Sequence, residues 1–187
     1  MDSDIDAFYE ESRRLDETLL GDLESASKHL GLEDTQFWRR TYCRCLMTAF
    51  EGIVQDLKKH TLYFYDAMLG DDEKDVLRKR LGALEGAFHA FDLYTNVAGA
   101  TTPLERESQE WLILKKAIKI RNRITHPESA DDLELSAQDM IHLKATAKVL
   151  FDLICTCHED TGKALKKRGE LLLKAWEKAE RRTKQCR

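Results

Sequence analysis

Only two prolines, Pro103 and Pro127, occur in 187 residues, and neither falls in the first hundred. Proline removes a backbone donor and clashes with the preceding helical turn, so its scarcity permits long uninterrupted helices over most of the chain. The apolar residues follow the same lead. Ile5, Phe8, Leu15, Leu19, Leu23, Ala26 and Leu30 share one helical face and predict an amphipathic helix ending near Gly31. Asp34-Thr35 offers an N-cap for a second helix, with Trp38, Tyr42, Cys45, Ala49, Ile53 and Leu57 as its core stripe running towards Met68. Gly70-Asp71-Asp72 breaks that helix. Leu77, Leu81, Leu84, Phe88 and Phe91 then predict a single third helix.

Thr102-Pro103-Leu104-Glu105 combines a threonine cap, proline at the first helical position and glutamate three residues after the cap. It predicts a fourth helix from Pro103 to His126, where Pro127 disfavours helical geometry in its neighbour. Ser136-Ala137-Gln138-Asp139 caps a fifth helix bearing Met140, Leu143, Ala147, Leu150, Phe151 and Ile154, and helix resumes after Asp160-Thr161-Gly162 through Leu165, Leu172 and Trp176. No strand-period pattern and no internal repeat occurs. The expected fold is therefore all-α: a bundle of about five to six helices, long and antiparallel.

Charge is unevenly placed. Residues 1–36 hold eleven acids against three bases, and residues 163–187 hold ten Lys and Arg against three Glu. The basic end suits nucleic acid or contact with the acidic end, and two solvated helix faces would produce the same pattern. No apolar stretch approaches the roughly 20 residues needed to span a bilayer, and the acidic start resembles neither signal nor transit peptide. The chain reads as cytoplasmic, with no membrane partner. Its five cysteines, Cys43, Cys45, Cys155, Cys157 and Cys186, read as reduced and buried. Residues two apart on a helix diverge by about 200°, so neither C-x-C pair favours zinc, and no metal or other cofactor is expected.

The fourth helix carries the chemistry. At about 100° per residue, Ile113, Ala117, Ile120 and Ile124 form its core stripe, while Lys115, Lys119, Asn122 and His126 fall on the opposite side. Trp111, Leu114 and Ile118 make a second apolar strip, which suits a partner helix. Basic residues in a last turn, followed by proline, also satisfy ordinary helix-ending rules.

Arg121, Asn122 and His126 at a helix end before Pro127 resemble the signature of the HEPN family: arginine, a polar residue, then histidine a few positions on. The layout of residues 35–160 is similar to that family, with the acidic first helix and basic last helix as additions to one domain spanning 1–187. The resemblance implies a HEPN-like bundle, a homodimer joining two motifs in one cleft, and metal-independent endoribonuclease activity. Arg121 would stabilise phosphate charge, Asn122 orient substrate or histidine, and His126 act as acid or base. Lys115, Lys119 and Arg123 would bind substrate, and Trp111, Leu114 and Ile118 would form the dimer contact. RNA supplies its own 2′-hydroxyl nucleophile, so proton transfer and charge stabilisation suffice without metal. On the wheel Arg121 lies about 120° from the stripe ending in His126, which favours a site shared between subunits. The implied role is cleavage of single-stranded or loop RNA by a toxin or antiviral defence effector, with an antitoxin or other regulatory protein as partner. A subset of family toxins has tyrosine two residues after the histidine, where this chain has Glu128. The alternatives are a non-catalytic HEPN scaffold binding nucleotide, RNA or protein, and a purely structural helical adaptor. The other five histidines have no recognisable partners in sequence.

Overall fold

The computed structural model describes the backbone of residues 2–185, with the side chains of residues 4–174 and 176. Among these residues there are six α-helices and no strand: α1 (Asp2–Leu32), α2 (Gln36–Tyr65), α3 (Asp71–Arg78), α4 (Ala83–Ala98), α5 (Gln109–Thr125) and α6 (Ala137–Gln185). The all-α expectation holds. Short 3-10 turns follow α2 at Asp66–Met68 and precede α6 at Asp131–Leu133.

A three-residue link forces α1 back along α2. Phe8 stacks on Tyr63, Ser12 meets His60, and His29 stacks on Trp38, so contacts climb one helix as they descend the other. The Thr35 hydroxyl accepts from the Trp38 N–H and starts α2 where the cap signal placed it. α2 is the central element, touching all five other helices. Its buried stripe, including Tyr42, Leu46, Phe50, Val54 and Leu57, meets Ala87 and Phe91 of α4, Leu114 and Ile124 of α5, and Leu143 of α6 in the main core. Phe91, Leu143 and Ile124 are almost completely removed from water; each such side chain contributes roughly 1.5–3 kcal/mol of burial free energy.

Two expected elements differ. The predicted third helix is split into α3 and α4, because Lys79 and Gly82 are both extended. The split sends Leu77 into a small cluster with Leu69 and Leu93, while Phe88 packs against the main core. The fourth helix begins at Gln109 rather than Pro103. Thr102 Oγ1 accepts from Leu104 N at 3.4 Å, two residues on, which makes a turn instead of a cap. Leu104 is fully buried, and Glu107 takes a left-handed φ of 62° that no continuous helix passes through. Ser108 supplies the true cap, accepting from Trp111 N at 3.2 Å.

α6 starts as expected. Ser136 Oγ accepts from Asp139 N, and the Asp139 carboxylate accepts from Ser136 N and Oγ, giving reciprocal caps. The helix then runs unbroken for 49 residues. Among the described residues, Thr161 is the last buried one, and Leu165, Leu172 and Trp176 beyond it are exposed. Phe151, expected in the core stripe, is also exposed. Cys43 and Cys157 are buried, Cys45 is half-buried and Cys155 is exposed, which corrects the expectation of uniform burial. Burial pushes the Cys43 and Cys157 thiols up to about 12, so both stay protonated at neutral pH. Cys186 lies outside the described residues, as do the side chains carrying half of the terminal basic charge.

Candidate active site and adjoining groove

α5 ends where the sequence placed its end. His126 has φ −126° and ψ 63°, outside helical geometry, and its N–H still closes the last turn on the Asn122 carbonyl at 2.9 Å. Proline at 127 accounts for the departure. Burial along α5 separates two faces: Leu114, Ala117, Ile120 and Ile124 are buried, and Lys115, Lys119, Asn122 and His126 are exposed. The polar stripe is where the wheel placed it, and Ile113, expected in the core, is half-buried.

Arg121 is pinned between its own helix and α2. Its Nη2 forms an ion pair with Glu51, and its Nη1 donates to Asn122 Oδ1 at 3.2 Å. The Arg121 side chain is 25% exposed and the Glu51 side chain 47% exposed, so solvent reaches the pair. Arg121 lines one groove with Asn122, Lys115 and Ile118, whereas His126 lines a separate cleft of about 410 Å³ with Asn122, Arg123, Glu128 and Asp132. Asn122 is common to both. Arg121 and His126 thus open on two sides of Asn122, in keeping with their divergence on the wheel. Glu128 and Asp132 bring negative charge to the histidine's cleft. Backbone N–H groups of Glu128 and Ser129, each donating at 2.9 Å, hold the Asp132 carboxyl below its ordinary range.

Arg123 has a structural job besides the one expected. Its Nη1 donates to the Glu134 carbonyl and its Nη2 to Asp139 Oδ2, both at 2.9 Å. It fastens the end of α5 to the cap of α6 while also lining the His126 cleft. Burial would raise the Asp139 carboxyl; hydrogen bonds from Ser136 and the Arg123 charge outweigh burial and hold it below the usual range.

The apolar strip expected to face a partner is mostly internal. Trp111 and Leu114 are 5% and 2% exposed and belong to the chain's own core, leaving Ile118 half-buried at the groove. The wheel misassigned them because α5 is covered on two sides, by α4 and α6 as well as α2. Arg106 lines the same groove, pairs with Glu85 at 2.7 Å and lies over Phe88 with its guanidinium carbon 4.5 Å from the ring centroid.

Histidines without evident partners in the sequence acquire them in space. His142 Nε2 lies 3.0 Å from the Ile113 carbonyl, His158 Nδ1 lies 3.3 Å from the Tyr94 hydroxyl, and His29 stacks on Trp38. Ser12, Asp56 and His60 form a tighter cluster. Ser12 Oγ donates to Asp56 Oδ2 at 2.7 Å, and His60 Nε2 lies 3.1 Å from that hydroxyl and 3.4 Å from the same carboxylate oxygen. A nucleophile relay needs one ring nitrogen for serine and the other for the carboxylate. One nitrogen faces both groups here, so the cluster ties α1 to α2. Only the i,i+4 spacing of Asp56 and His60 announced it.

Among the described residues, no group of three or more His, Cys, Asp or Glu is placed to hold a metal ion, and no helix is long and apolar enough to cross a membrane. Comparison with family models, with curated proteins and with solved structures gives no match to the chain.

Proposed function

We propose that the chain is a HEPN-type, metal-independent endoribonuclease that cleaves single-stranded or loop RNA by 2′-hydroxyl attack, as a cytoplasmic toxin or antiviral defence effector. The observation that carries this reading is the placement of His126. It is exposed, at a helix end, on a polar stripe with Asn122, Lys119 and Lys115, and it has no role in the core. A histidine there can give or take a proton near neutrality. Arg121 across Asn122 would meet the phosphate, since its planar fork suits two phosphate oxygens better than a lysine does. Duplex RNA holds the 2′-hydroxyl away from in-line attack, so loops are the favoured substrate.

Because Arg121 and His126 open on different sides of Asn122, a complete site calls for two copies of the motif. We infer a homodimer across the exposed face of α5, with Ile118 and Lys115 at the contact in place of the buried Trp111 and Leu114. An antitoxin or other regulatory protein would cover the same face. The Arg121–Glu51 pair favours a second reading, a non-catalytic HEPN scaffold that binds nucleotide, RNA or a protein partner, because the arginine is already neutralised.

Incubating the purified chain with total RNA, with and without EDTA, tests the proposal. Cleavage unaffected by chelator, leaving 2′,3′-cyclic phosphate ends, is the expected result. Intact RNA at high protein concentration would leave the scaffold reading standing, and 3′-hydroxyl products would overturn the chemistry.

A further inference from the structure

The corner between α3 and α4 leaves a cavity of about 650 Å³ bounded by α1, α2, α4 and Arg121 of α5. Lys58 lines it from the buried stripe of α2, among Val54, Leu57 and Thr61. The residue is only 4% exposed, and among the described residues its ammonium has no carboxylate or hydrogen-bond partner. It lies against bare backbone: a Cβ built on Gly86 would stand 3.7 Å from Nζ. Burial alone acts on its pKa, pushing it down, and no opposing charge offsets that effect. The stem is buried while Nζ itself is reached through the cavity, so the ammonium is unpaired and partly desolvated, a cost that leucine or methionine in the same stripe would not carry.

Two further features face the same space. Arg80, from the α3–α4 corner, and Arg121 line it, and its one lining carboxylate, Glu51, is already engaged by Arg121. The 16-residue helix α4 starts at the wall, where Gly82 and Ala83 also line the cavity. Gly82 provides no side-chain cap, so the first N–H groups of α4 lack an acceptor from it. A helix start with free N–H groups favours an anion, and a phosphate in particular. The remaining side chains of the lining are mixed, with Leu15, Leu19, Val54 and Leu81 apolar and Thr48 and Gln55 able to hydrogen-bond. The volume lies within the range of small-molecule sites.

We propose that this cavity binds the phosphate group of a small molecule, with Lys58 and Arg80 neutralising it, the N-terminus of α4 donating to its oxygens, and Arg121 at the mouth. The missing counter-charge of Lys58 is then supplied by the ligand. This site shares Arg121 with the proposed cleavage motif but needs neither His126 nor RNA.

Isothermal titration calorimetry on the full chain at low ionic strength, with inorganic phosphate and phenyl phosphate as separate probes, tests it. Saturable binding with a Kd of about 1 mM or tighter is expected for the wild type. Lys58→Met should weaken binding at least about tenfold while the Tm stays level or rises, because it removes an unpaired, partly desolvated charge and keeps the chain length. Arg80→Gln, on an exposed corner, should weaken binding by a smaller factor and decides the matter if the Lys58 variant does not fold. Tighter binding of phenyl phosphate assigns the site to a phosphate ester, and equal binding assigns it to free phosphate. His126→Ala should bind both probes as the wild type does, so a chain that binds phosphate yet cleaves no RNA separates the two proposals. Absence of saturable heat with either probe, or undiminished binding by both variants, overturns this one.

Discussion

Glu51 on α2 and Arg121 on α5 neutralise each other 70 residues apart in sequence, within the motif assigned to RNA cleavage. A solvent-reached pair of this kind contributes about 0.2–1 kcal/mol, little enough for a phosphate to displace it. Glu51→Gln should therefore leave the Tm within about 4 °C of wild type. It should raise RNA cleavage by up to about fivefold, the rate equivalent of the upper end of that energy. A gel assay alongside calorimetric melting checks both. A fall in cleavage would mean that Glu51 positions Arg121 instead of restraining it.

His126→Ala is expected to lower cleavage by about 100-fold or more, the usual loss on removing a general acid or base. The Tm should not move, because the side chain is exposed and its N–H remains to close the helix. Circular dichroism and single-turnover cleavage measure the two effects. Full activity in this variant would remove His126 from the mechanism.

Arg123→Ala should act on stability. It removes two hydrogen bonds that join α5 to the α6 cap, one of them to a carboxylate. Bonds to charged groups contribute roughly 1.5–3 kcal/mol, so a loss of about 2 kcal/mol is expected by urea denaturation. Unchanged stability together with weaker RNA binding would assign Arg123 to the substrate site alone.

The same cap sets a pH dependence. Asp139 is held below its ordinary value of 3.8 in the folded chain. A carboxyl depressed on folding contributes stability that is present above its unfolded pKa and lost as pH falls through the folded value. The urea midpoint should therefore fall off at pH values below about 4. Asp139→Asn should be less stable at neutral pH and flatten that part of the profile. An unaltered acid limb would assign it to other carboxylates.

Mixing Arg121→Ala and His126→Ala chains tests the shared site. If two motifs meet in one cleft, each inactive variant supplies what the other lacks, and mixed dimers regain one intact site. Recovery of about a quarter of wild-type activity is expected at equal concentrations, from half the dimers carrying one site of two. Ile118→Asp should abolish both dimer and recovery. Recovery in a monomeric mixture would overturn the model.

Local chemistry made much of this chain legible. Thr35 and Ser136 cap the helices that their spacing announced, Pro127 stops α5, and the exposed side of α5 carries the four polar residues assigned to it. The failures came where a distant contact outweighed a local signal. The cap at Thr102 gave way to burial of Leu104, and the periodic run through Leu81 was cut at Gly82. Trp111 and Leu114 looked surplus because a wheel cannot show that three neighbouring helices cover α5. Glu51 and Lys58 gave no sequence signal. Their importance lies in which residues of other helices stand beside them, and in the case of Lys58 which do not.

The unbroken α6 has a hydrodynamic consequence. Past Thr161, its last buried residue among those described, the helix still borders the end of α4 at Arg168, and from there to Gln185 it runs on for about 26 Å at 1.5 Å per residue. A particle with such a projection drags more solvent than a sphere of equal mass. Its elution volume in gel filtration would imitate a heavier species, and a monomer could pass for a dimer. Subunit stoichiometry in this protein is therefore a matter for measured mass, by light scattering or sedimentation equilibrium.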